Sequence, residues 1–244
     1  MEALASEIKH NYKKILIFGI GGSYLGPKLM EDIFSSKELE IDFITGSDPS
    51  EYQQYLEQDL SDCAFIITSK SFSTIETLTS YDAITKGKLL NQTYAVTSLV
   101  DKAETFGISS NNIAEIDIGT GGRFSIWSAV NLGLFIRLGR DRFKDFLKGG
   151  KVIDDLSSSS IENNPALSLA IQDLIMNNVL EMDSTLILNY DYKLRNFSSY
   201  AQQLEMESLG KSIDRDTGQA LSYDTGSIVW GGYGPRSQHS FFQH

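Results

Sequence analysis

Ile15-Leu16-Ile17-Phe18-Gly19-Ile20-Gly21-Gly22-Ser23-Tyr24-Leu25-Gly26-Pro27 is the stretch on which the reading of this chain turns. It opens as an apolar run of strand length and leads into Lys28-Leu29-Met30-Glu31-Asp32-Ile33-Phe34, whose apolar residues recur at helical spacing. A strand, a glycine turn and a helix in that order make an anion site. The glycines let the backbone approach a ligand closely, and the unpaired N–H groups at the helix start favour negative charge. Ser23 adds a hydroxyl at the same turn.

Outward from that stretch, strand-like and helix-like segments alternate. Apolar runs at residues 41–44, 64–68, 94–97 and 113–118 read as strands, with helices expected near residues 50–57 and 73–84. Such alternation predicts an α/β fold: a three-layer αβα sandwich around a mostly parallel, doubly wound sheet, with ligands beyond the carboxyl ends of the strands. The serine-rich run Asp154-Asp155-Leu156-Ser157-Ser158-Ser159-Ser160 reads as a connection. It sets an expected boundary near residue 155, with a first domain over residues 1–155. Residues 156–244 then open a second α/β domain, with a helix over residues 165–179 and a strand over residues 184–189.

Composition bounds the function. The chain has 244 residues, 41% of them hydrophobic, and a net charge of −11. That balance argues against a nucleic-acid or anionic-membrane partner, since both require clustered Lys and Arg. The single Cys63 lies in an apolar run and forms no internal disulfide, which fits a buried structural thiol in a reducing compartment. With no signal-peptide pattern at Met1-Glu2-Ala3-Leu4-Ala5 and no apolar run of membrane-spanning length, the expectation is a cytoplasmic protein.

A second motif, Thr68-Ser69-Lys70-Ser71-Phe72-Ser73-Thr74-Ile75-Glu76-Thr77, follows another short apolar strand. Ser73 is placed as an N-cap with Glu76 three residues on, as in a capping box. A cap uses one or two hydroxyls, and the surplus beside Lys70 suits a phosphate, which accepts several hydrogen bonds at once. Both readings stand on the residues alone.

A third motif is Gly119-Thr120-Gly121-Gly122-Arg123-Phe124-Ser125, ahead of an apolar stretch expected to be a buried helix. An arginine held at such a turn stabilises developing negative charge on oxygen, although most arginines are solvated surface groups. In the second half, a helical Tyr200-Ala201-Gln202-Gln203-Leu204-Glu205-Met206-Glu207-Ser208 places Gln203 and Glu207 on one face and Glu205 on another. His239, in Ser237-Gln238-His239-Ser240, is expected at the start of a helix and is a candidate acid/base group. No His-Glu-x-x-His or paired-Cys pattern occurs, so no catalytic metal is expected.

Taken together and in order, these motifs resemble those of the glucose-6-phosphate isomerase family, from about residue 15 onward. The resemblance implies a fold of the sugar isomerase (SIS) type, flavodoxin-like in topology, with no cofactor. It implies a sugar phosphate held by Gly22, Ser23, Ser69, Lys70, Ser71 and Thr74. It also implies Glu207 as the proton-transfer base beside Gln203, Arg123 against the developing negative charge, and His239 in opening the sugar ring. A homodimer with the histidine offered across the interface is implied as well. The chain departs from the family pattern before Gln238-His239, where Gly231-Gly232-Tyr233-Gly234-Pro235-Arg236-Ser237 replaces the usual Gly-Glu-Pro-Gly-Thr-Asn-Gly. It lacks the family's Gly-Val-Glu-x-x-Lys motif and reads as a fragment.

Two rival readings stand beside this one. A dinucleotide-dependent oxidoreductase needs Gly-x-Gly-x-x-Gly, and Tyr24 occupies the third glycine position. A non-catalytic sugar-phosphate-binding module of the same SIS type accounts for the phosphate motifs but does not require Gln203 and Glu207 on one helical face.

Overall fold

The opening apolar run folds as strand β1 (Lys14–Phe18), buried beyond its first residue. It follows helix α1 (Glu2–Asn11) and leads through a 3₁₀ turn, Gly21–Ser23, into α2 (Leu25–Phe34). The computed structural model describes residues 1–243. After α2 come β2 (Glu40–Ile44), the short α3 (Pro49–Tyr52), β3 (Cys63–Thr68), α4 (Ile75–Thr85), β4 (Thr93–Thr97), α5 (Val100–Phe106) and β5 (Ile113–Glu115).

The five strands pair in the order β2-β1-β3-β4-β5, every neighbour parallel. Every residue of β3 is buried, as a parallel strand with both faces covered must be. Leu16, Phe18, Phe65 and Ile67 meet Tyr81 of α4 in the core. Tyr81 sets its ring 5.5 Å from that of Phe18 and its hydroxyl 2.8 Å from Thr93 Oγ1, so its one polar atom is satisfied. Cys63 is 2% exposed, and burial pushes its thiol up to about 12. It packs as a small apolar side chain.

Beyond β5 the expected helix over residues 125–137 is a pair of 3₁₀ segments, Gly122–Trp127 and Ala129–Asn131, followed by α6 (Leu132–Leu156). Gly139 breaks α6 with φ 72° and ψ 175°, values outside the helical region that glycine reaches without a Cβ penalty. The chain divides there into two units, Met1–Arg140 and Asp141–His244. The division therefore falls at the glycine and not at the serine-rich run near residue 155, part of which is the end of α6.

The second unit contains α7 (Pro165–Asn178), β6 (Ser184–Asn189), α8 (Phe197–Leu209), β7 (Ile228–Tyr233) and α9 (Gly234–Gln238). β6 and β7 pair in parallel over six residues, from Ser184 opposite Ile228 to Asn189 opposite Tyr233. Gly231 has φ 140°, and a Cβ there would overlap the Ile187 carbonyl of the neighbouring strand. The expected helix beginning at Ser237 is instead α9, which opens three residues earlier, at Gly234, with Pro235 in its first turn and ends before His239.

Candidate functional site

The carboxyl ends of β1, β3 and β4 enclose a cavity of about 350 Å³ at the point where the strand order reverses, the usual ligand position in such sheets. The six residues expected to hold phosphate come from two separate motifs, and all six, Gly22, Ser23, Ser69, Lys70, Ser71 and Thr74, line it. The glycine loop reaches the cavity because Gly22 has no side chain: a Cβ would overlap the Gly122 carbonyl, which packs against it. Ser125 Oγ closes that contact, 2.5 Å from Gly122 O and 3.4 Å from Gly22 O.

The hydroxyl turn does not cap α4 in the expected manner. The N-cap is Thr74, with no side-chain capping bond, and Ser73 is not the cap. Ser69 Oγ lies 3.0 Å from Thr74 Oγ1, and Ser73 Oγ donates to Ser71 Oγ at 2.8 Å. Phe72 sets this shape: its ring is buried against Phe106 while its backbone takes φ 45°, a left-handed conformation uncommon outside glycine. The core thus holds Phe72 in place, and its serine neighbours turn outward. The Thr97 hydroxyl and the Ser98 N–H both donate to the Lys70 carbonyl at 3.1 Å, tying the turn to the end of β4. Lys102 Nζ holds the Ser71 carbonyl at 3.3 Å.

Lys70 is the one ionisable side chain lining the cavity, and no acidic group does. Within a chain of net charge −11, this is a local surplus of positive charge, suited chemically to an anion. Two lining hydroxyls, Thr68 Oγ1 and Ser98 Oγ, are buried without a hydrogen-bond partner. Buried polar atoms are normally satisfied, so both are suited to a ligand. The sequence reading assigned neither of them a role. The signal for Ser98 was present, since it directly follows the apolar strand at the same sheet edge as Ser69.

Arg123 sits in the 3₁₀ segment after the third glycine turn, its guanidinium 4.8 Å from the centre of the Phe124 ring. In the second unit, α8 brings Gln203 and Glu207 together as their spacing predicts, with Gln203 Nε2 donating to Glu207 Oε2 at 3.0 Å. Lys211 Nζ donates to the Glu207 backbone carbonyl at 2.7 Å. Glu205 faces a different cavity, lined also by Asp173, and burial together with the Asp173 charge raises its pKa. His239 follows the end of α9 and is exposed, and its ring is not hydrogen-bonded to Glu207 or Gln203. No group of three or more His, Cys, Asp or Glu side chains able to hold a metal occurs among the described residues. No helix among them is long and apolar enough to cross a membrane.

The profile of the family described as Phosphoglucose isomerase matches residues 5–244. The glucose-6-phosphate isomerase of Wigglesworthia glossinidia brevipalpis is 37% identical over 94% of this chain and 44% of its own length. That of Christiangramia forsetii is 36% identical over 95% of this chain and 45% of its own. The crystal structure of a glucose-6-phosphate isomerase from Chlamydia trachomatis superposes with a TM-score of 0.88 at 29% identity, covering 99% of this chain and 49% of that one. The C-terminal domain of glucosamine-fructose-6-phosphate aminotransferase from Francisella tularensis, at 16% identity and a TM-score of 0.56, shares the fold. The chain spans less than half the length of the curated relatives it matches.

Proposed function

This chain belongs to the phosphoglucose isomerase family, and from that premise we propose that it carries the sugar-phosphate site and the proton-transfer residues of an aldose–ketose isomerase acting on glucose 6-phosphate and fructose 6-phosphate. The observation that carries the reading is the 3.0 Å bond from Gln203 to Glu207, which presents an oriented carboxylate from one helical face. A module that only binds sugar phosphate has no use for it.

The chemistry follows from the two sugars being isomers. A base removes the proton from C2 of the open-chain aldose, the C1 carbonyl becomes the hydroxyl of a cis-enediol, and the same base returns a proton to C1 as the C2 oxygen becomes the ketone. One carboxylate on one side of the sugar serves both steps, with no net gain or loss of electrons. Glu207 is that base and Gln203 orients it. Arg123 offsets the enediolate charge, an interaction worth most where the charge develops. His239 protonates the ring oxygen as the pyranose opens. Gly22, Ser23, Ser69, Lys70, Ser71 and Thr74 hold the phosphate and fix the position of C1 and C2. The reaction belongs to glycolysis and gluconeogenesis in the cytoplasm, and the working form is a homodimer.

The test is a titration of the chain with glucose 6-phosphate in deuterium oxide, following heat of binding, appearance of fructose 6-phosphate and deuterium at C2. Binding with isomerisation and exchange is expected. Binding with neither would assign the chain a purely binding role.

A further inference from the structure

The stretch where the chain departs from its family's pattern, residues 231–237, lines a second cavity of about 430 Å³ that lies wholly within the second unit. Its other wall is the start of α8. We propose that this cavity binds a small phosphorylated molecule through its phosphate group, at a site separate from the one on the first unit's sheet.

Three observations converge on it. Two arginines, Arg195 and Arg236, line the cavity and no acidic side chain does, an arrangement that opposes the sign of the whole protein. Arginine guanidinium groups match phosphate oxygens in geometry as well as charge. Arg195 is already held in place: its guanidinium carbon lies 4.4 Å from the centre of the Tyr192 ring and Nη1 donates to the Tyr192 carbonyl at 3.0 Å. The Arg236 guanidinium is exposed and makes no hydrogen bond or ion pair among the described residues.

The second observation is the helix end. Asn196 precedes α8 without a side-chain capping bond, and the first N–H turned back into the helix is that of Tyr200, to Asn196 O at 3.2 Å. The N–H groups of Phe197, Ser198 and Ser199 are therefore the unpaired donors of the first turn, and the helix dipole adds to their attraction for an anion. The third observation is Ser198 itself. It lines the cavity at 4% exposure, in the same first turn as those N–H groups, where a serine hydroxyl adds a further donor for a phosphate oxygen. Tyr192 and Tyr233, with rings 5.5 Å apart edge to face, add an aromatic wall that suits the carbon skeleton of a sugar or polyol phosphate.

Phosphate titration of the isotopically labelled chain, followed by the amide resonances of Ser198 and Ser199, tests the proposal against chloride at equal ionic strength. Saturable shifts with phosphate and none with chloride are expected. Arg236→Gln, an exposed change that leaves packing intact, should lower the affinity at these resonances about tenfold or more. Ser198→Ala should lower it less, and Lys70→Met, on the first unit, should leave it unchanged. Shifts that chloride reproduces, or that Arg236→Gln does not weaken, would overturn the site. So would shifts confined to Gly22, Ser23 and Ser69 to Thr74, an outcome that leaves the first phosphate site standing. A parallel titration with glucose 6-phosphate separates free phosphate from a phosphorylated sugar as the occupant.

Discussion

In the first unit β3 is buried along its whole length, whereas in the second β6 begins with three exposed residues and Ile228, at the start of β7, is 56% exposed. Of the buried apolar side chains among the described residues, only Phe143, Ala201 and Val229 belong to the second unit. Both sheets are parallel, an arrangement that ordinarily requires cover on both faces. Among the described residues, the first unit covers its sheet with helices along the full length of β3, whereas β6 and the start of β7 keep exposed residues. Local stability follows the density of buried apolar contacts, so the phosphate cavity rests on a stiff frame while Gln203 and Glu207 rest on a looser one. On the proposed assignment, binding and proton transfer are carried by parts of the chain that substitutions can disturb separately.

The largest expected effect separates the two directly. Glu207→Gln keeps the shape and the bond to Gln203 but removes the base, so isomerisation should fall about 10² to 10⁴-fold. Calorimetric affinity for glucose 6-phosphate, set by the first unit, should change little. A parallel loss of affinity would show that the two units do not divide the work in this way, and undiminished turnover would remove Glu207 from its role.

Stability measurements sharpen the same contrast. Phe65→Ala, in the fully buried β3, should cost about 3 to 5 kcal/mol. Ile228→Ala, in the exposed part of β7, should stay within about 0.5 kcal/mol. The two tryptophans report on the units individually, Trp127 on the first and Trp230 on the second. Urea titrations of single-tryptophan variants, each keeping one of them, would then show whether the units unfold at different midpoints. A common midpoint, with equal losses from the two alanine changes, would break the comparison.

Within the first unit, the phosphate site should respond without any change of frame. Ser71→Ala or Thr74→Ala removes a hydroxyl from the cavity, and a hydrogen bond to a charged group contributes about 1.5 to 3 kcal/mol. Affinity for glucose 6-phosphate should weaken accordingly while the urea midpoint stays near that of the parent. Unchanged affinity would take the hydroxyl turn out of the site.

The sequence made the first unit's strands and their loops legible because β1, β3 and β4 are short apolar runs ending in small or hydroxyl residues. The apolar runs were read correctly because full burial imposes them. Details decided by tertiary contacts were not legible. Ser73 and Thr74 both qualify as an N-cap on residue type, and the left-handed Phe72, pinned by its buried ring, decides between them. Helices α1 and α5 were not anticipated, nor was the break at Gly139, since a glycine within a helical pattern does not announce its φ. His239 was placed at a helix start although Pro235 marked the true one. The pairing of Gln203 with Glu207 was legible, because an interval of four on a helix needs no tertiary information.

The smallest expected effect is one of pH, and its sign differs between the units. In the first, burial alone would raise the Asp42 pKa, but the bonds from Lys14 at 2.9 Å and Tyr55 at 2.8 Å outweigh it and the value is lowered. Stability from such a group is present above the ordinary aspartate value and is lost as pH falls through the folded one. In the second unit, burial and then the Asp173 charge raise the Glu205 pKa. The folded unit therefore holds the proton that the unfolded chain releases, and stability falls as pH rises from the ordinary glutamate value through the raised one. Glu205→Gln removes that loss. Followed through Trp230, the variant should be more stable than the parent at pH 7, and the gap should close near pH 4. Asp42→Asn, followed through Trp127, should be less stable than the parent at pH 7, with its gap closing only at lower pH. If Glu205→Gln gave no advantage at pH 7, or an equal one at pH 4, Glu205 would not be the source of a pH-dependent strain in the second unit, and the opposition between the two units would reduce to their difference in burial.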